Sequence, residues 1–413
     1  MKKYFIFLLF EILACTRQRS SECSTVFAGE QIRKFVTDRP DEFVSLPRSK
    51  DIYNIVPDQS AGVYSIELVV GGKKIFMVAD TGSSNVIIDP KEFAADPTKF
   101  TNQDFYVSYG SGSGLASKYV DNVSLTCGNI KFEYTVGVLK QNKNLPSILG
   151  LAYSSIAQPG PPQTPIPPFF DQVVEKNNGD ILNLFSMALC GHKNGDKISL
   201  GGPLPGVKQE DLIYVPVIHQ SWYVIDARWM QVLDWVKIGN DWQPKAGAVT
   251  KVGDFQAFLA DKDDGYGEGV TTIVDSGTTM NIFPPEIYSN ALAVLRAASA
   301  QKALGIPTNF WDALAGNDNY SLAVSHEVIA QLPKFQIVVR GQGDQLVNLD
   351  LLPDVYLKKL NKNKDQRTSS FRLSSGHNIL GQAFMEGYYV EFDRQSTPNR
   401  IGFGKNDIFC KEP

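Results

Sequence analysis

Two short runs in the chain are built alike, and both end in an acid that could do chemistry. Phe76-Met77-Val78-Ala79 leads into Asp80-Thr81-Gly82-Ser83-Ser84, and Thr272-Ile273-Val274 leads into Asp275-Ser276-Gly277-Thr278-Thr279. Each is an apolar strand pattern stopping at an aspartate in low-dielectric surroundings. The glycine two residues on lets the backbone approach the carboxylate and donate N–H groups to it. The next hydroxyl, Ser83 or Thr278, suits the outer carboxylate oxygen. The hydroxyls of Thr81 and Ser276 suit the backbone of the opposite half. Two such turns meeting would set two carboxylates about 3 Å apart, sharing one proton. The ionised member activates a water while the protonated member polarises a carbonyl. That is hydrolysis of a peptide bond by direct attack of water, with no covalent intermediate. A lone Asp-Thr-Gly is usually a solvated turn; two copies, each behind an apolar strand, are far more specific.

A second echo follows the first. Ser147-Ile148-Leu149-Gly150-Leu151-Ala152 resembles Asn378-Ile379-Leu380-Gly381-Gln382-Ala383. The same order of motifs occurring twice predicts two similar lobes facing each other.

The elements that must carry these turns are mostly strands. Residues 64–70 and the run Ile75-Phe76-Met77-Val78-Ala79 flank Gly71-Gly72, a hairpin signal. Further β-rich runs lie at 104–107, 120–125, 132–139, 213–217 and 273–274. Helical patches are few. Phe169, Phe170, Val173 and Val174 make one apolar face behind Pro168, and Pro285 opens a second helix carrying Ile287, Ala291, Leu292 and Leu295. With 34 Gly and 23 Pro in 413 residues, the class is mostly β.

Composition narrows the function classes. At 43% hydrophobic and 20% charged, the chain is not broadly disordered. A net charge of −4 offers no field for nucleic acid. Four histidines, none in an HExxH grouping, and no CxxC pair leave no metal site in view, and no cofactor is expected. The acidic run Asp261-Lys262-Asp263-Asp264-Gly265 does not fit a calcium loop and reads as a solvated turn. Gly110, Gly112 and Gly114 fit no phosphate-binding pattern.

The leader reads differently from the body. Lys2 and Lys3 precede an apolar run to Ala14, a secretory signal pattern, and residues 1–15 are expected to be removed. Residues 16–55 read as a prosegment, 56–205 as the lobe with Asp80 and 206–413 as the lobe with Asp275. The first fifty residues hold nine Lys/Arg against six Asp/Glu, which leaves the remainder at −7. A basic leader lying over an acidic cleft is expected of a zymogen. No C-terminal membrane anchor is expected, and the protein reads as a monomer of the secretory pathway, secreted or endosomal/lysosomal. Cys15 leaves with the signal, and the cysteines at 23, 127, 190 and 410 then face an oxidising compartment. Asn122 and Asn319 begin N-x-S sequons and are candidate glycosylation sites.

Further stretches carry a family likeness: residues 148–157, Phe169-Phe170-Asp171, Leu189-Cys190-Gly191, Met385-Glu386-Gly387-Tyr388-Tyr389-Val390, Phe392-Asp393-Arg394 and Arg400-Ile401-Gly402-Phe403. With the paired Asp turns, these residues resemble the pepsin-like aspartic proteases over roughly residues 62–410, and within them the beta-secretase branch. The resemblance implies a bilobal fold with a central cleft and a β-hairpin flap, and a peptide or protein substrate. It makes Asp80 and Asp275 the catalytic pair and Tyr109 the flap tyrosine. Gly82, Gly277 and Thr279 would bond the substrate backbone, and Val78, Ile148 and Tyr223 would line side-chain pockets. It also pairs Cys190 with Cys410.

The chain departs from that pattern in places. Ile87 stands where pepsins carry tryptophan, and no tryptophan adjoins the flap. Ile282 replaces an arginine of beta-secretase, predicting a more apolar pocket, and Gln382 stands where many relatives carry aspartate. These departures keep a second reading in view, a catalytically weak peptide-binding protein on the same fold.

Overall fold

In the computed structural model, the described residues are 24–27, 51–55, 63–110, 112–125, 130–141, 145–160, 162–177, 181–191, 193–255, 271–301, 304–314, 321–361, 364–374 and 376–411. The signal segment, Cys15, Cys23, Cys127, Asn319 and the acidic run at 261–265 lie outside them.

The sequence echo becomes a repeated strand arrangement. In the first half, Lys73–Asp80 pairs antiparallel with Ser65–Val70 and parallel with Ile148–Gly150, so that Val78 faces Ile148 and Asp80 faces Gly150. Ile148–Gly150 also pairs antiparallel with Val86–Ile88. In the second half, Thr272–Val274 runs parallel to Asn378–Leu380, which meets Asn281–Phe283 through Ile379 and Ile282. Each aspartate therefore leaves the end of a short central strand, and each Ile-Leu-Gly strand lies beside it. The apolar alternation buries Ile66, Leu68, Ile75, Met77 and Ala79 in the first half and Val274, Phe283 and Leu380 in the second. Burying each large side chain contributes about 1.5–3 kcal/mol.

The first half forms a seven-stranded sheet. Its outer part is the hairpin of Phe100–Tyr109 and Gly112–Leu125, with Tyr109 opposite Gly112 at the tip. Gly71 and Gly72, at φ of 57° and 84°, turn the 65–80 hairpin as their sequence signalled. The second half adds the sheet of Ala227–Ile238, Asp241–Asp254, Phe335–Arg340 and Leu346–Leu351.

A twelve-stranded sheet joins the halves. Leu184–Ala188, Tyr388–Asp393, Arg400–Lys405 and Ile213–Gln220 pair antiparallel in that order. Asp51–Ile55 and Ser24–Phe27 add two strands beside Lys197–Leu200. The fold is the mostly β, bilobal architecture expected of the pepsin-like class.

Two helices brace the sheets. Phe169–Lys176 buries Phe169, Phe170 and Val173, and its first-turn Asp171 pairs with the buried Arg394 at 2.5 Å. Pro285–Gln301 buries Ile287, Ala291, Leu292 and Leu295 along one side. Cys190 and Cys410 form a disulfide across a sequence separation of 220 residues. Among the described residues, no helix is long and apolar enough to cross a membrane.

Candidate active site

Asp80 and Asp275 come together where the two central strands end. Both are buried, at 7% and 8% exposure. Asp80 Oδ1 accepts from the Gly82 N–H at 2.7 Å, and its Oδ2 accepts from Ser83 Oγ at 2.5 Å. Asp275 repeats the pattern, with Gly277 N–H at 2.8 Å and Thr278 Oγ1 at 2.5 Å. Each carboxylate is thus fixed by one backbone donor and one hydroxyl. Asp80 is also hydrogen-bonded to Asp275. Burial first, and then the charge of Asp275, hold the Asp80 carboxyl well above the usual carboxylate range. Two acids in contact cannot both ionise cheaply, so the pair keeps a proton and titrates as a unit.

The turns are locked to each other from both sides. Thr81 Oγ1 donates to the Val274 carbonyl at 3.0 Å and accepts from the Ser276 N–H at 2.9 Å. Ser276 Oγ donates to the Ala79 carbonyl at 2.6 Å and accepts from the Thr81 N–H at 3.0 Å. All four groups are buried, where an unmade bond costs about 1–3 kcal/mol. The glycines permit the contact. A β-carbon on Gly82 would stand 2.6 Å from Asp275 Cγ, and one on Gly277 would stand 2.2 Å from Asp80 Oδ1.

Tyr109 is half-buried at the hairpin tip and packs on the edge of the core. Its hydroxyl is raised by burial and by the charge of Asp80, which places it within electrostatic reach of that carboxylate. Val78 lies two residues before Asp80 on the same strand face, nearly buried, and Ile148 is its partner on the adjoining strand. Thr279 and both glycines are partly exposed.

Tyr223 is not placed as expected of a pocket-lining residue. It is fully buried, its hydroxyl donates to the Leu151 carbonyl at 2.8 Å, and its ring packs on Tyr153, Phe185 and Phe392. The strand Tyr223–Ile225 turns that side chain into the core. Its neighbour Trp222 reaches the site instead, with Nε1 donating to the Gly82 carbonyl at 2.9 Å. The sequence reading missed Trp222. It also missed Gln382 as a contact of the turn: Gln382 Nε2 donates to the Ser276 carbonyl at 2.6 Å. The sequon residue Asn122 is exposed on the strand Gly112–Leu125. Among the described residues, no group of three or more His, Cys, Asp or Glu is placed to hold a metal ion.

The family model for eukaryotic aspartyl proteases matches residues 63–406, which span both Asp turns. The chain belongs to the eukaryotic aspartyl protease family. Its similarity to individual aspartyl proteases is modest. It is 24% identical to a beta-secretase of Strongylocentrotus purpuratus, over 83% of this chain and 66% of that protein. It is 26% identical to a cathepsin D of Clupea harengus, over 80% of this chain and 77% of the other. It is 25% identical to pepsin A of Sus scrofa, over 79% of this chain and 76% of the other. The chain thus spans just under two thirds of the beta-secretase relative's length.

Proposed function

We propose that the protein is an aspartic endopeptidase in which Asp80 and Asp275 together activate a water molecule against a peptide bond. The observation that carries this reading is the twinned arrangement of two buried carboxylates, each held by a glycine N–H and a hydroxyl and each lying against the glycine of the other turn. One carboxylate takes a proton from the water as its oxygen attacks the scissile carbonyl carbon. The other gives its proton to the carbonyl oxygen. The resulting gem-diol collapses as a proton passes to the leaving nitrogen, and the C–N bond breaks. Atoms balance with water as the only co-reactant. Tyr109 at the hairpin tip supports a flap role, closing over a peptide and excluding solvent.

The substrate is a peptide or protein. The zymogen reading rests on the basic leader and the −7 remainder. Acid protonates carboxylates of the body, weakens that attraction and frees the cleft, so activity is placed on the acidic side of neutrality. The leader also supports passage through the secretory pathway, and Asn122 is then open to glycosylation.

The test is incubation of the purified protein with a mixed peptide library at about pH 4–5, a range set by carboxylate pKa values near 4. The wild type cleaves internal bonds and an active-site aspartic-protease inhibitor stops it. Peptide binding without cleavage at every pH would instead make the protein a binding module.

A further inference from the structure

The two Asp turns are near copies, and one difference between them falls on a buried side chain. In the first half, Gly150 is followed by Leu151; in the second, Gly381 is followed by Gln382. Both side chains are fully buried. Leu151 cannot donate a hydrogen bond from its side chain. Gln382 does, through Nε2 to the Ser276 carbonyl at 2.6 Å.

The other end of that amide is unusual. Gln382 Oε1 is buried with no hydrogen-bond partner. An unsatisfied buried acceptor is destabilising, and a leucine of similar size would avoid the penalty. Reversing the amide would set two oxygens face to face, so the donor end is the one in use. Fold stability alone does not call for glutamine here, and an unpaired buried polar atom calls for an explanation.

The explanation lies in the peptide unit that Gln382 holds. The Ser276 carbonyl belongs to the same peptide as the Gly277 N–H, and that N–H donates to Asp275 Oδ1 at 2.8 Å. A carbonyl that accepts a strong bond polarises its own peptide and makes its N–H a better donor. The first turn has no side-chain donor at the matching position. The neighbouring backbone is pinned as well, since the Gln382 and Ala383 N–H groups donate to the Thr278 and Thr279 carbonyls.

We propose that Gln382 is a positioning residue that strengthens the Gly277 N–H bond to Asp275 and so draws the pair's shared proton toward Asp80. This rests on the dyad reading given above. The upward displacement of Asp80 by burial agrees with the direction. Other titratable groups on elements packed against this turn of helix are engaged elsewhere. Asp354 pairs with Arg367 and Asp393 with Arg400; Glu391 accepts from Tyr214 and Tyr389. Tyr356 and Tyr388 donate to the Pro333 and Asp350 carbonyls, and Glu386 pairs with Lys358 and Tyr64.

The test uses Gln382→Leu and Gln382→Glu in the full-length protein, read by carboxyl-carbon NMR titration and by the pH profile of peptide cleavage. In Gln382→Leu the lower of the two dyad midpoints rises by about half a unit. Its kcat falls about 3–10-fold with KM little changed, a fraction of the loss from removing a direct donor. Gln382→Glu keeps the donor only while its new carboxyl is protonated. Its kcat stays near wild type at low pH and declines at the higher pH where that group ionises, above the usual carboxylate range because the position is buried. Unchanged midpoints in Gln382→Leu, or a loss confined to KM, would overturn the inference. If Gln382→Leu does not fold, a Gln382→Glu profile that follows wild type at every pH would overturn it. The NMR arm needs no turnover. A wild type that titrates as a coupled pair but cleaves nothing defeats the endopeptidase reading and leaves this one standing or falling by its midpoints.

Discussion

Gly277 lies directly against Asp80: a β-carbon on the glycine would stand 2.2 Å from the carboxylate oxygen, inside any permitted contact. Gly82 lies against Asp275 in the same way. The glycine of each turn is therefore required less by its own turn than by the acid of the other half. Gly277→Ala is expected to push the carboxylates apart and lower kcat by at least about 100-fold, as a small misplacement of reacting groups can. An alanine variant with near wild-type turnover would show that the contact is not needed.

The cross-lobe bonds of Thr81 and Ser276 make a second expectation. Thr81→Val keeps the shape but deletes the donor to Val274 O and the acceptor for the Ser276 N–H. Stability should fall by about 2–4 kcal/mol, since both former partners stay buried. Thr81→Ser should restore most of it. Urea unfolding of the two variants decides the matter, and equal stability would contradict the account.

Burial and the Asp275 charge raise the Asp80 carboxyl in the folded state. Below the unfolded value both states hold the proton, and the group contributes nothing to the pH dependence. Above it the unfolded chain releases the proton and the folded chain keeps it, so stability falls with rising pH until the folded value is passed. Asp80→Asn removes this penalty. Its gain over wild type should be near zero at about pH 3 and reach roughly 1–3 kcal/mol at about pH 7. Thermal unfolding across that window checks it, and a gain that shrinks toward neutrality would be the wrong sign.

Much of this site was legible because its signals are local. The Asp-Thr-Gly and Asp-Ser-Gly turns, the strands before them and the Ile-Leu-Gly runs are each a few residues long, and their repetition predicted two facing halves. The Pro168 and Pro285 helix starts were legible for the same reason. The hairpin of Ala227–Ile238 and Asp241–Asp254 was not. Most of its second strand is exposed, so it shows no apolar alternation. Trp222 and Tyr223 could not be sorted because they are adjacent aromatics. Which of them faces the core depends on how the strand Tyr223–Ile225 is placed, and a partner far away in sequence sets that: Val224 pairs with Ile273 and Ile225 with Thr272. Gln382 did leave a trace, as the one polar mismatch between the Gly150-Leu151 and Gly381-Gln382 pairs.

The reassignment of those aromatics has its own test. Tyr223→Phe leaves the buried Leu151 carbonyl without its donor and should cost about 1–2 kcal/mol of stability, with the cleavage preference unchanged. Trp222→Phe removes the donor to the Gly82 carbonyl, beside Asp275. It should lower kcat/KM about 10-fold with little loss of stability. The reverse pattern in peptide-library profiles would return Tyr223 to the pocket.

The central claim is that the two acids act as one unit, and a comparison of single and double variants tests it most directly. Turnover of one cleaved peptide is measured for Asp80→Asn, Asp275→Asn and the double variant at the pH of maximal wild-type activity. Partners in a shared step are non-additive, so all three should fall to the same residual rate, at least about 1,000-fold below wild type. A single variant that keeps a tenth of the activity, or a double variant whose loss is the product of two modest ones, would contradict the shared-proton account.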